Sequence, residues 1–203
     1  LWGSLWLPSQ ETIQVCHALL QDPKFFRLLL HIDIELAAQT RTGGCRCGGV
    51  LHRANYPRKP RRCLDEVRAD YASRFSFCCN RCRKRATPAS VRFLGRRVYL
   101  GLAVVLMSAR RTDATPALAP LGKLLQVPVR TLQRWRRWWV EQFPLTPLWQ
   151  AACARFMPPI TLGQLPASLI ERFAGPAQES LLRLLFFLAP LTVRPPVTLN
   201  EGR

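Results

Sequence analysis

The stretch "SFCCNRCRKR" (residues 76–85) puts three cysteines into five positions and follows them at once with Arg83, Lys84 and Arg85. A buried structural cysteine needs no neighbours and a disulfide needs one, so a cluster this tight points to a metal ion. Zinc takes four soft ligands in a tetrahedron, and two short knuckles that each offer a pair of thiolates supply them. The partner knuckle is "GGCRCGG" (43–49), whose glycines permit the tight turn in which backbone amides point at sulfur. Cys79-x-x-Cys82 has the usual knuckle spacing, so Cys45, Cys47, Cys79 and Cys82 are the expected ligands of one Zn2+ ion. Cys78 is then expected on the other face of its strand. Two alternatives stay open: His52 lies close enough in sequence to replace one sulfur of the tighter C-x-C pair, and the cysteines could be free reduced thiols. A redox role for Cys79 and Cys82 is disfavoured, because no strand–helix unit of the thioredoxin type surrounds them.

The charge of the chain points the same way as the basic run. Thirty Lys and Arg stand against twelve Asp and Glu among 203 residues, a net charge of +18. Such an excess attracts polyanions: nucleic acid first, an anionic membrane or acidic protein second. It is concentrated between Arg41 and Arg97, where sixteen basic residues face only Asp65, Glu66 and Asp70. Four thiolates and one zinc ion carry two net negative charges, which Arg46, Arg81, Arg83, Lys84 and Arg85 offset while offering contacts outward. Between the knuckles, the prolines of "YPRKPRR" (56–62) hold the chain extended, spreading Arg58, Lys59, Arg61 and Arg62 along a path suited to a phosphate backbone or a minor groove. The competing reading is a solvated basic loop.

The chain as a whole is apolar enough, at 48% hydrophobic residues, to bury a core. Four segments are expected: an N-terminal helical segment over 1–41, broken at Asp22-Pro23; a zinc ribbon with its basic loop over 42–87; a helix-turn-helix domain over 88–144; and a C-terminal helical segment over 145–203. The fold class is therefore mainly α with a small zinc-ribbon β module, a three-helix helix-turn-helix unit being flanked by N- and C-terminal helices. "VRFLGRRVYLGLAVVLMSAR" (91–110) supplies a first helix. The helix-turn-helix reading rests on "LGKLLQVPVRTLQRW" (121–135), with Leu121, Leu125, Val127, Leu132 and Trp135 at core positions and Gly122 where two helices approach. Gln126 replaces the usual turn glycine. In the second helix Arg130, Gln133, Arg134 and Arg137 share one face, opposite Leu132, Trp135, Trp139 and Phe143. Arg and Gln are suited to guanine and adenine edges in a major groove; "WRRWW" could instead belong to an amphipathic membrane or packing helix.

A cysteine ribbon ending in "CNRCRKRATPAS", a long apolar helix and then "LGKLLQVPVRTLQRW" resembles, over residues 42–143, the N-terminal DNA-binding region of zinc-ribbon insertion-sequence transposases. It is also similar to the short regulatory or accessory proteins that some insertion sequences encode. The resemblance implies recognition of element ends or an operator. A transposase active site also needs three carboxylates for two metal ions. After Pro144 only Glu171, Glu179 and Glu201 carry carboxylates, so no catalysis is expected.

The expected function is that of a zinc-stabilised DNA-binding protein, accessory or regulatory to a mobile element. The alternative is an RNA-binding or nucleoprotein-assembly factor without sequence-specific readout. An enzyme would need a carboxylate cluster, for which "DEVRAD" (65–70) is a poor candidate because its spacing is that of a solvated face. Duplex DNA is the expected partner, with RNA as the competing ligand, a separate transposase or recombinase as a protein partner and a homodimer as a candidate assembly. No membrane span is expected, since the longest apolar runs fall short of the roughly 20 residues a bilayer helix needs. No secretory signal is evident, so the expected location is the cytoplasm, on the nucleoid.

Overall fold

The computed structural model describes residues 18–60, 63–94, 100–109 and 128–193. Helix α1 (Pro23–Thr42) starts where the sequence breaks at Asp22-Pro23. Proline fits the first helical position, and the Asp22 carboxylate accepts from the Lys24 amide at 2.9 Å. Its buried stripe, Phe25, Phe26, Leu29, Asp33 and Ala37, recurs every three to four residues as an amphipathic helix requires. The chain then enters a ribbon of five short strands: β1 (Leu51–Arg53), β2 (Tyr56–Pro57), β3 (Ser73–Arg74), β4 (Phe77–Cys79) and β5 (Arg85–Ala86). Strands β1, β4 and β5 form an antiparallel sheet in that order, and β2 pairs with β3. Helix α2 (Gly101–Ala109) follows, then α3 (Val129–Arg137), α4 (Pro147–Ala152), α5 (Ala167–Ile170) and α6 (Ala177–Leu188).

Two apolar clusters result. The smaller joins Ala37 of α1 to Leu51, Phe77 and Cys79 of the ribbon, with Cys45, Phe75, Cys82 and Ala86 packed alongside. So small a core cannot hold five strands by itself. The main cluster runs from Leu20 to Ala189 and takes side chains from α1, α2, α3 and α6. An aromatic chain carries it across the C-terminal half: Trp139 packs on Phe143 at 5.0 Å between ring centroids, Phe143 on Trp149 at 5.2 Å, Trp149 on Phe156 at 5.8 Å and Phe156 on Phe187 at 5.8 Å.

A buried polar knot fastens the ribbon to the helices. Asp33 of α1 accepts from Ser90 Oγ at 2.6 Å, from the Val91 amide at 2.8 Å and from Arg92 Nε at 2.7 Å. The Arg92 guanidinium continues to the carbonyls of Asp70 (2.7 Å) and Ser73 (3.3 Å) and lies over the rings of Tyr71, Phe75 and Phe93. Arg74, also buried, donates to the carbonyls of Pro88 and Thr192. The middle of α1 and the C-terminal end of the described chain are thus tied to the ribbon.

This arrangement corrects the expected fold class. Among the described residues, a three-helix helix-turn-helix unit flanked by terminal helices is not the organisation found. Helix α3 packs on α2 and runs on into a widened, π-helical turn at Trp138–Gln142. That turn keeps Trp139 and Phe143 facing the core, so the apolar side of α3 is spent on the aromatic chain. The N- and C-terminal segments share that core instead of flanking a separate unit. Leu121, Gly122, Leu125, Gln126 and Val127, read as the first helix and turn, lie outside the described residues. The helix expected from residue 91 begins at Gly101, because Ser90, Val91 and Arg92 are committed to Asp33.

Candidate metal centre

The first knuckle is a tight turn. The Gly48 amide donates to the Cys45 carbonyl at 2.8 Å and the Cys45 amide to the Gly49 carbonyl at 3.3 Å. Gly48, at φ +75°, takes a backbone conformation that a side chain disfavours. The second knuckle leaves β4 at Cys79, turns through Asn80–Cys82 and returns through Arg83 at φ +57°. The Arg83 amide closes it on the Cys79 carbonyl at 3.1 Å. Asn80 stitches the knuckles together: its amide donates to the Val50 carbonyl at 3.0 Å, and its side-chain oxygen accepts from the Val50 amide at 2.9 Å. Arg81 adds a bond from its guanidinium to the Cys47 carbonyl at 3.1 Å.

The result brings Cys45, Cys47, Cys79 and Cys82 together with all four sulfurs within 4.8 Å of one another. Cys45 stands 3.5 Å from Cys82, and Cys47 stands 3.5 Å from both Cys45 and Cys79. Sulfurs set tetrahedrally at ~2.3 Å from a zinc ion would be roughly 3.8 Å apart, so the spacing is that of a cage. Four cysteines in this arrangement can hold a metal ion. Cys79 is fully buried beneath the cage and Cys47 is exposed at its mouth.

Backbone amides prepare two of these sulfurs, those of Cys79 and Cys47, for the ionised form that a metal takes. The Cys82 and Arg81 amides point at the Cys79 sulfur from 3.5 and 3.4 Å and hold its thiol down at about 6. Cys47 is lowered as well, chiefly by the Gly49 amide and then by the Cys45 sulfur. Cys45 moves up to about 12: the Cys47 amide opposes the rise, but the neighbouring Cys47 and Cys82 sulfurs outweigh it. Gly49 is required for space. A Cβ there would lie 2.5 Å from the Cys79 sulfur and 2.7 Å from Arg81 Cβ.

Cys78 and His52, the two rival ligands, lie elsewhere. They face each other across β1 and β4, with the Cys78 thiol turned to the Arg83 carbonyl at 3.5 Å. Neither joins the four-sulfur group.

The expected nucleic-acid contacts divide. Lys59, Arg83, Lys84 and Arg85 are exposed on the ribbon, and Arg58 is half-buried. Arg85 and Arg58 lie on the Tyr56 ring, 4.1 and 5.8 Å from its centroid, and Arg85 also donates to the Ala54 carbonyl at 2.7 Å. Arg61 and Arg62 lie outside the described residues. On α3, Arg130, Gln133, Arg134 and Arg137 are all exposed, while Trp135, Trp139 and Phe143 are buried. Two of the basic residues counted between Arg41 and Arg97 are structural: Arg74 and Arg92 are interior side chains. Sequence reading missed Asp33 as the partner of Arg92, because its place on the apolar stripe of α1 does not say which distant residue it meets.

Among the described residues no helix is long and apolar enough to cross a membrane. No known protein family, curated protein or solved structure matches the chain.

Proposed function

We propose that the chain is a zinc-stabilised nucleic-acid-binding protein whose principal ligand is duplex DNA, and that it serves a mobile element as an accessory or regulatory factor. The observation that carries this reading is the coincidence, on one short ribbon, of a four-cysteine cage with exposed Lys59, Arg83, Lys84 and Arg85. Zinc is the metal that four thiolates at tetrahedral spacing suit best. Four protein ligands leave no open position for substrate or water, so the ion is structural. Its work is to fold the ribbon and thereby to fix the basic side chains in one place.

Duplex DNA would be held by phosphate contacts from the ribbon and from the exposed face of α3. Arg130, Gln133, Arg134 and Arg137 carry the donors that read base edges. The link to a mobile element rests on the order of parts, a cysteine ribbon followed by an arginine-rich helix. A separate transposase or recombinase and a second copy of the chain are the proposed protein partners. The test is a gel-shift competition among duplex DNA, RNA and single strands, run with zinc-loaded protein in magnesium. Preference for duplex DNA, with selection of a defined sequence and no cleavage, supports the reading. Indifferent binding to every nucleic acid favours an RNA-binding or assembly factor, and cleavage favours a nuclease.

A further inference from the structure

Between the C-terminal half of α1 and the ribbon runs an open groove of about 740 Å³, lined by Ile34, Ala37, Ala38, Phe75 and Phe77, with Arg41 and Arg53 at its polar edge. We propose that this groove takes a single unpaired nucleotide, its base against Phe75 and its phosphate between Arg41 and Arg53. The preferred ligand would then carry an unpaired stretch beside its duplex. This inference rests on the nucleic-acid reading above and names the part of the ligand that the groove selects.

Three observations argue for that occupant. The groove is apolar along its floor but cationic at its rim, and neither Arg41 nor Arg53 has an ion-pair partner among the described residues. An anion joined to a flat apolar group complements both. Phe75 is half-buried, with the Arg92 guanidinium 4.9 Å from its ring centroid. Arg92 is itself fixed by Asp33, so the ring is held as a rigid platform, and aromatic platforms beside cationic rims are how proteins hold unpaired bases. Finally, Arg53 lies on β1, in the same sheet as β5, which begins at Arg85. A strand bound along the basic ribbon is thereby led towards the groove. A base inside a duplex would be kept out, because its stacked neighbours already cover the faces that Phe75 would need.

The experiment compares a blunt duplex with the same duplex bearing a short single-stranded overhang, in which one overhang base is the fluorescent analogue 2-aminopurine. The wild-type, zinc-loaded chain is expected to bind the overhang form more tightly and to quench the analogue. Phe75→Leu should weaken binding of the overhang form roughly five- to a hundredfold and abolish quenching, leaving blunt-duplex affinity unchanged. Phe75→Trp should restore both. Arg53→Gln, at an exposed position, tests the rim without disturbing the interior and should weaken only the overhang form. Equal affinity for both forms, insensitive to these variants, overturns the groove assignment while leaving the nucleic-acid reading intact. So does displacement of the bound overhang by an acidic amphipathic peptide of higher affinity. Failure to bind any nucleic acid overturns both.

Discussion

At Gly49 a single hydrogen atom separates a working cage from a broken one. A methyl group there would press on the Cys79 sulfur and on Arg81 Cβ, neither of which can retreat without moving a knuckle. Gly49→Ala should therefore lower metal affinity by at least about tenfold, as second-shell disruption does, measured by competition with a chromogenic chelator. Cys79→Ser and Cys82→Ser should each abolish stoichiometric zinc by elemental analysis, whereas Cys78→Ser should retain it. The cysteine pattern was readable because knuckle spacing is local. The buried ion pair was not, because Asp33 and Arg92 are fifty-nine residues apart, and the place of Asp33 on the apolar stripe of α1 does not name its partner. Removing one partner strands the other in a dry site, so Asp33→Asn or Arg92→Gln should cost about 3–5 kcal/mol in urea unfolding. Replacing both by apolar side chains of similar volume should cost much less.

At the level of the element, α3 shows what periodicity can and cannot say. The exposed face of Arg130, Gln133, Arg134 and Arg137 opposite Trp135 follows from 3.6-residue spacing, while the burial of Trp139 and Phe143 comes with the widened turn beyond it. What the buried face packs against does not follow from it. A helix-turn-helix pair and an aromatic core make the same demand on one helix, and the sequence of α3 satisfies either. Size was the available clue: Trp135, Trp138, Trp139 and Phe143 offer more aromatic surface than the single turn of a partner helix would cover. The exposed face still permits a direct test. Arg130→Gln, Arg134→Gln and Arg137→Gln together should leave the thermal midpoint unchanged and reduce the slope of log affinity for duplex DNA against log salt by up to about 2.7. An unchanged slope would place the phosphate contacts on the ribbon alone.

Across the whole molecule, the response to alkali follows from two buried acids. Burial pushes the Cys63 thiol up to about 11 from its ordinary 9.0. Burial also drives the Tyr71 phenol upward, its hydroxyl being spent on the Phe26 carbonyl at 2.8 Å. The unfolded chain loses these protons first. The stability that the neutral forms carry is therefore complete below pH 9 and declines as pH rises through the folded value of Cys63. The urea midpoint should fall from pH 9 upward, and Tyr71→Phe should flatten that fall. In the same range an alkylating reagent should label Cys153 in the native protein and spare Cys63.

Helix α1 places Phe25, Phe26 and Leu29 in the main core, Asp33 in the polar knot and Ala37 in the ribbon cluster. One rigid rod therefore belongs to both halves, and neither can melt without freeing part of the other. A metal bound at the far end of the rod is then linked to the unfolding of the aromatic core, several turns of helix away. Heating the loaded chain in a calorimeter should give one transition, whose midpoint climbs with free zinc concentration. The apparent zinc affinity and the melting temperature become two readings of a single equilibrium, and a substitution at Phe26 would weaken the hold on a metal ion that it never approaches.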